Sequence, residues 1–272
     1  MRRETSADDL RRQADALNGL VDAVQVNESP YSWVQMSALA ACAILGERGV
    51  DTVPILTCRD RDRTALESEL RGLHALGIDS LILLRGPRIP KKHAVPAATV
   101  FDLTGRQLIA LAREVAAESS NGGAGDWYIG AAAQVFRPKP GWRAESLLAR
   151  AADGARFAQT QLCLNLAMLR DYMTAYTAAG LHRKLPLVVS MTALPSATTG
   201  RWIRKTLTGS RVPEALIGRL ELAADPVQEG VRICAEQMQE VAALPGVSGI
   251  NLLTTGDPEA IAAAIQASGL RD

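Results

Sequence analysis

The amino-acid sequence predicts an α/β fold, a (β/α)8 TIM barrel that lacks its first strand. Short apolar segments rich in β-branched residues alternate with amphipathic helical patterns along the 272 residues, which is typical of parallel βαβ units. Seven strand patterns and at least eight helical patterns occur, beginning with a helix, so the missing strand is the first one. An open doubly wound sheet is the alternative, but no G-x-G-x-x-G fingerprint follows a strand pattern.

Each predicted strand is preceded by a predicted helix. In chain order, the predicted strands are residues 21–26, 52–57, 80–84, 127–132, 157–161, 185–191 and 247–253. The first helix places Leu10, Ala14 and Leu17 on one stripe, and the third ends at Gly77, which suits a left-handed cap. In chain order, the predicted helices are residues 7–20, 33–46, 65–76, 105–118, 143–153, 166–179, 199–244 with breaks at Gly209 and Pro213, and 258–268.

Composition excludes several classes of protein. The 30 basic and 29 acidic residues are spread along the chain, which argues against nucleic acid or a membrane surface as a partner. No apolar run approaches the roughly 20 residues of a membrane span, and the N-terminus lacks the apolar segment of a signal peptide, so we expect a cytoplasmic protein. Barrels of this class, with roughly 250 residues, commonly form one unit, so we expect a single domain over residues 1–272. With 47% hydrophobic residues, the chain can bury a substantial core.

The cysteines and histidines do not form a metal-binding pattern. Four cysteines lie far apart and without C-x-x-C spacing, which favours reduced core thiols over disulfides or zinc ligands. They are Cys42, Cys58, Cys163 and Cys234. The three histidines are scattered as well, so we expect no metal site.

In a barrel, function is expected on the loops that follow the C-terminal ends of the strands. These loops are residues 27–30, 57–63, 85–88, 133–134, Gln161, 192–198 and 254–256. The second of them reads TCRDRDR, with five charges in succession between a strand and a helix. A charge run is usually a solvated turn, but this position favours a functional role.

Several segments of the chain resemble one family. The run PILTCRDRDRTALESELRGLHALGIDSLILLRGP, residues 54–87, is similar to the core of the methylenetetrahydrofolate reductases. The resemblance continues in order over about residues 21–270. It includes FDL at 101–103, IGAA at 129–132, QTQ at 159–161, VPEALIGRLELA from Val212, EGVRICAEQM from Glu229 and VSGINLLTTGD from Val247. The chain resembles the short form of the family, without a regulatory domain.

The resemblance implies a flavin enzyme of one-carbon metabolism. It implies a barrel that binds FAD, with FMN as an alternative. NADH or NADPH reduces the flavin, which passes the hydride to 5,10-methylenetetrahydrofolate to give the 5-methyl form. It implies a folate substrate contacted by Gln161 and Leu194. The residues implied in flavin binding are Asn27, Thr57, Arg85, Gly86, Ala132, Gln134 and Arg150. The charges of TCRDRDR would position the cofactor end, with Arg59 and Asp60 holding the loop through an ion pair and a helix cap.

Three positions depart from the family pattern. The family's general acid is a glutamate at the end of the first strand, which this chain does not include. Pro87 stands where many relatives have an aspartate that stabilises the cationic intermediate, and Ile55 replaces a histidine that contacts flavin.

Three explanations of the missing acid stay open. The true start lies upstream of Met1; or Glu28 supplies the acid, at the end of the first predicted strand, which corresponds to the family's second; or the protein does not reduce folate. In the last case it is a folate- or flavin-binding subunit of a one-carbon complex, or a methylfolate-dependent methyltransferase-like barrel. An incomplete barrel edge also favours a homo-oligomer or a partner subunit.

Overall fold

The computed structural model describes residues 6–28, 35–89, 97–119, 127–207, 209–254 and 256–271. The described residues form an α/β fold with a seven-stranded sheet whose strands follow one another in chain order. The first four strands pair in parallel with one another in succession, and so do the last three. The strands are β1 Val24–Val26, β2 Thr52–Thr57, β3 Ser80–Leu84, β4 Tyr128–Ala133, β5 Phe157–Leu162, β6 Leu187–Met191 and β7 Val247–Leu252. The parallel α/β fold expected from the sequence is therefore confirmed.

Helices connect successive strands. They are α1 Ala7–Leu17, α2 Ala38–Gly46, α3 Arg63–Ala75, α4 Gly105–Ser119, α5 Glu145–Asp153, α6 Leu166–Ala178, α7 Ala197–Thr206, α8 Glu214–Leu222, α9 Pro226–Ala242 and α10 Pro258–Ser268, with a short 3-10 helix Leu181–Arg183. Most begin after a residue whose side-chain oxygen accepts a backbone N–H of the first turn, which fixes the start of the helix. These capping residues are Ser6, Ser37, Asp62, Asn165, Ser196, Asp225 and Asp257.

The observed elements differ from the predicted ones mainly at their ends. Strand β1 begins three residues later than predicted. The helical region predicted for residues 199–244 is interrupted between α7 and α8, where the breaks at Gly209 and Pro213 were predicted. It has one further, unpredicted boundary, because Asp225 caps a new helix that starts with Pro226. Gly77 has φ +72°, which confirms the predicted left-handed end of α3. Parts of the predicted helix 33–46 and of the loops 27–30 and 254–256 lie outside the described residues.

The chain divides into two compact units. The first comprises residues 1–131 and 149–156, and the second comprises residues 132–148 and 157–272. In the first unit, β2 lies between β1 and β3, with Val24 opposite Thr52 and Ile55 opposite Ile82. Its core is built from fully buried side chains of β2, α3, β3 and α4: Leu56, Leu66, Leu70, Leu73, Leu81, Leu108 and Ile109.

In the second unit, β6 lies between β5 and β7, with Ala158 opposite Leu187 and Val189 opposite Ile250. Two tyrosines of α6, Tyr172 and Tyr176, are fully buried in its core. The Tyr176 hydroxyl donates to the Leu185 carbonyl over 2.6 Å, so its polar end is satisfied inside the core.

All four cysteines are buried free thiols, as predicted. Burial raises the pKa of every one of them, to about 11 for Cys58 and Cys163 and to about 12 for Cys234. In the described ranges, no group of three or more His, Cys, Asp or Glu side chains could hold a metal ion. Across those same ranges, no helix has the length and apolar character that crossing a membrane requires.

Candidate functional site

The charged loop after β2 is held by two carboxylates at its end next to α3. Asp62 caps α3 by accepting from the Ala65 N–H over 2.8 Å, and Asp102 accepts from the Arg63 N–H over 2.8 Å. Within the loop, Arg59 pairs with Asp60 over 2.8 Å. The ion pair therefore forms as predicted, whereas the helix cap is Asp62 and not Asp60. Two carboxylates near the start of α3 also complement the positive end of the helix dipole.

A second backbone segment lies against this loop. The N–H of Val100 donates to the Arg59 carbonyl over 2.8 Å, and the N–H of Phe101 donates to the Cys58 carbonyl over 3.1 Å. These bonds hold the chain that precedes α4 beside the end of β2. The FDL motif thus supplies both a backbone contact to the loop and, through Asp102, an acceptor for the first turn of α3.

Glu28 occupies the end of β1 as a buried carboxylate. Its side chain is only 7% exposed. One carboxylate oxygen, Oε2, accepts from the Thr57 N–H over 3.1 Å and from the Thr57 hydroxyl over 2.7 Å. The other oxygen, Oε1, accepts from the Arg61 guanidinium. The catalytic residue expected from the sequence is therefore engaged on both oxygens by the neighbouring strand and loop.

Burial raises the pKa of the Glu28 carboxyl above its ordinary value of 4.5. The positive charge of Arg61 and the hydrogen bonds from Thr57 and Arg61 act in the opposite direction, and Asp60 adds a small raising effect. Desolvation is the largest of these contributions. The group is thus easier to protonate than an exposed glutamate.

Gly86 follows β3 and has φ +78°, a conformation that favours glycine. A Cβ at this position would lie 3.0 Å from the Thr57 Cβ and 3.2 Å from the Arg59 Cβ. The positive φ and the close packing against the end of β2 are therefore sufficient to explain why glycine occupies this position, and no ligand contact is needed to explain it. The preceding residue, Arg85, is exposed, and its guanidinium carbon lies 4.1 Å from the centre of the Phe101 ring.

Two other residues expected at the cofactor lie in the first unit. Asn27 is exposed after β1, and its side-chain oxygen accepts from the Gln25 amide over 2.9 Å. Arg150 lies in the last turn of α5, where its carbonyl accepts from the Ala155 N–H over 2.9 Å. Among the described residues of this unit that were expected at the cofactor, Thr57 and Gly86 lie next to each other.

In the second unit, Gln161 connects two loops. Its Oε1 accepts from the Val135 N–H over 2.9 Å, and its Nε2 donates to the Val135 and Gly209 carbonyls, each over 3.2 Å. A Cβ at Gly209 would lie 2.9 Å from the Gln161 Cγ, so the contact is tight. Gln161, for which the family resemblance implies a substrate contact, therefore has its amide bonded to backbone atoms.

The remaining expected residues differ in exposure. Ala132 and Gln134 are exposed at the end of β4, as a ligand contact requires. Leu194 is 1% exposed and is not open to a ligand in this conformation. The Leu194 carbonyl packs against α9, where a Cβ at Gly230 would lie 1.9 Å from it. Leu194 is thus part of the packing beneath the loop after β6.

Sequence reasoning missed three contributors to this region, which are Arg61, the backbone of Val135 and Asp102. Arg61 lies in the TCRDRDR run but was not distinguished from its neighbours, because its partner Glu28 is far away in sequence. The backbone of Val135, which engages Gln161, carries no signal in residue identity. Only Asp102 had a usable signal, since it belongs to the FDL segment.

Comparisons with known proteins agree with the resemblance seen in the sequence. The family model described as methylenetetrahydrofolate reductase matches residues 6–269. No curated protein matches the chain. Among solved structures, the recombinant flavin-binding domain of baker's yeast flavocytochrome b2 is similar with a TM-score of 0.43 and 12% sequence identity. That match covers 89% of this chain and 64% of the other.

Proposed function

The chain belongs to the methylenetetrahydrofolate reductase family, and from this membership we propose that it reduces 5,10-methylenetetrahydrofolate to 5-methyltetrahydrofolate. NADH or NADPH is the hydride donor and a bound flavin, FAD first and FMN second, is the carrier. The observation that carries this proposal is the family match over residues 6–269. The proposal makes the protein an oxidoreductase of folate metabolism that acts on a CH–NH bond.

The proposed architecture is that of the family barrel. Seven parallel strands in chain order, with helices between them, are the pattern of a (β/α)8 barrel without one of its strands. We take the chain as one domain of this kind. Cytoplasmic location and assembly with a second copy or a partner subunit belong to the same proposal.

The residues that would hold flavin fit it in their chemistry. Arg85 is an exposed cation beside an aromatic ring, which suits a phosphate or a flat ring system. Ala132 leaves room at the end of β4, and Gln134 offers an exposed amide. Asn27, Thr57, Gly86 and Arg150 complete the proposed contacts. Flavin, when bound, supplies hydride transfer between the nicotinamide and the folate.

Glu28 is the proposed proton donor, acting as the folate ring opens. A donor near neutral pH needs a pKa above that of an ordinary glutamate, and burial shifts the pKa of Glu28 in this direction. Gln161 and Leu194 are the proposed substrate contacts. Because the Gln161 amide is bonded to Val135 and Gly209, folate binding through it requires the exchange of at least one of these bonds.

One observation favours a second function. Pro87, in place of the family aspartate, is exposed and has no charge to stabilise a cationic folate intermediate. A folate- or flavin-binding subunit without reductase turnover, or a methylfolate-dependent methyltransferase-like barrel, would not need that charge.

The visible spectrum of the purified chain tests the proposal. We expect flavin absorbance, present on purification or after incubation with FAD, that bleaches with NADH or NADPH without oxygen and returns on addition of methylenetetrahydrofolate. Arg85→Met should weaken flavin binding, and the exposed Arg183→Met should not. A protein that stays colourless with FAD would contradict the flavin mechanism. Folate binding by that colourless protein, measured by calorimetry, would support the second function.

A further inference from the structure

Arg61 contacts three carboxylates, and the proposed chemistry assigns it no role. Its Nη1 pairs with Glu28 and lies 3.9 Å from Asp60, and its Nη2 lies 3.6 Å from Glu69 of α3. The Arg61 side chain is 21% exposed and that of Glu69 is 17% exposed, so the pairs are shielded from water. Ion pairs in this setting are screened less than pairs on an open surface.

Arg61 is the charged partner of the Glu28 carboxylate. The Thr57 groups that contact Glu28 are neutral hydrogen-bond donors on one carboxylate oxygen. Among the described residues, Arg61 is the cation that forms an ion pair with Glu28. A buried carboxylate without a cation is strongly unfavourable, because desolvation acts on the charged form.

We propose that Arg61 is a positioning residue for Glu28. Its guanidinium holds the carboxylate against Thr57 and places a positive charge beside this buried group. Through Glu69, the same guanidinium connects the end of β1 to α3. Arg61 has this role in the chain without ligands, whether or not the chain has reductase activity.

The charged and titratable groups around Glu28 determine what the loss of Arg61 should do to the Glu28 pKa. The loop after β2 contributes Arg61, Asp60 and the buried Cys58 thiol, and α3 contributes Glu69, which faces Arg61. Burial raises the pKa of Glu28, and the charge of Arg61 is the largest opposing influence. Loss of Arg61 should therefore raise the pKa of Glu28 further.

Carbon NMR of the full chain with labelled glutamate carboxyl groups tests this directly. The Glu28 resonance is assigned by its absence in Glu28→Gln and followed through a pH titration. We expect a higher Glu28 pKa in Arg61→Met than in the unmodified chain. Arg63→Met is the matched control, since Arg63 is half exposed and pairs with Glu114 over 3.0 Å. An unchanged Glu28 pKa in Arg61→Met would overturn the inference.

A double-variant comparison keeps the test decisive if Arg61→Met folds poorly. Removing one partner of a buried pair is more harmful than removing both. We therefore expect Glu28→Gln/Arg61→Met to unfold at a higher urea concentration than Arg61→Met, and to fold even where the single variant does not. Purely additive losses would overturn the inference. The same holds if Glu28→Gln folds while the double variant does not.

Discussion

The Gln161 side-chain amide makes two hydrogen bonds with the backbone of Val135. It accepts from the Val135 N–H and donates to the Val135 carbonyl. A third bond reaches Gly209. The end of β5 is thereby connected to two loops of the second unit. This arrangement gives Gln161 a structural role whether or not it also contacts substrate.

Replacing Gln161 by Met should destabilise the fold. The change removes three hydrogen bonds and leaves the Val135 N–H without its acceptor, which corresponds to about 1 to 3 kcal/mol. Urea unfolding measures the loss. Gln159→Met on the same strand is the control, because Gln159 makes no side-chain hydrogen bond within the described residues. Equal stability of the two variants would contradict this role of Gln161.

Alanine at Gly86 should be more harmful than alanine at Gly77. Both glycines have positive φ, so each substitution carries a backbone penalty of about 1 to 2 kcal/mol. Only at Gly86 would the new Cβ also meet Thr57 and Arg59, whereas nothing lies within 4 Å at Gly77. We expect about 1 to 3 kcal/mol of additional destabilisation from overpacking. Thermal and urea unfolding of both variants would show whether the difference exists.

Two glycines inside helices should respond in opposite directions. At Gly218 of α8 nothing lies within 4 Å of a new Cβ, so alanine should stabilise the chain by roughly 0.5 to 1 kcal/mol through helix propensity. At Gly230 of α9 the new Cβ would meet the Leu194 carbonyl, and alanine should destabilise by about 1 to 3 kcal/mol or more. Urea midpoints of the two variants are the measurement. A stabilised Gly230→Ala would show that α9 and the loop after β6 move apart freely.

Stability should depend on pH through Glu28 in a defined direction. Because its folded-state pKa is raised, the contribution of Glu28 is fully present below its ordinary value of 4.5 and is lost as pH rises through the folded-state value. Glu28→Gln should remove this slope from urea midpoints measured between those two pH values.

Glu214 provides the opposite case. Its pairing with Arg204 lowers its pKa, so its small contribution is present above 4.5 and is lost as pH falls. Glu214→Gln should leave the slope assigned to Glu28 intact. If both variants change the same part of the pH profile, the assignment to Glu28 is wrong.

Local sequence signals predicted most of the secondary structure. The bounds of β2 and β3 were predicted correctly, because apolar runs there are bordered by charged residues and glycine. The boundary between α8 and α9 was missed although Asp225 and Pro226 form a cap and first-turn pair. That signal was present, but the apolar periodicity continues across it.

The contacts of the candidate site were less accessible to sequence reasoning. The sequence could predict that Thr57, Arg59 and Gly86 lie near one another, because they stand at the ends of two adjacent parallel strands. By contrast, Arg61 meets Glu28 across a separation of 33 residues, which one sequence cannot reveal. Gln161 is bonded to backbone atoms, whose identity no residue type encodes.

The four buried thiols can be used to measure local unfolding of the chain without any added label. Two of them, Cys42 and Cys58, belong to the first unit, and Cys163 and Cys234 belong to the second. Thiolate is the form that an alkylating reagent attacks, and burial with a raised pKa suppresses it. Alkylation of each cysteine under native conditions therefore requires exposure of its surroundings. Peptide mass spectrometry after timed alkylation would give separate opening rates for the two halves of the molecule.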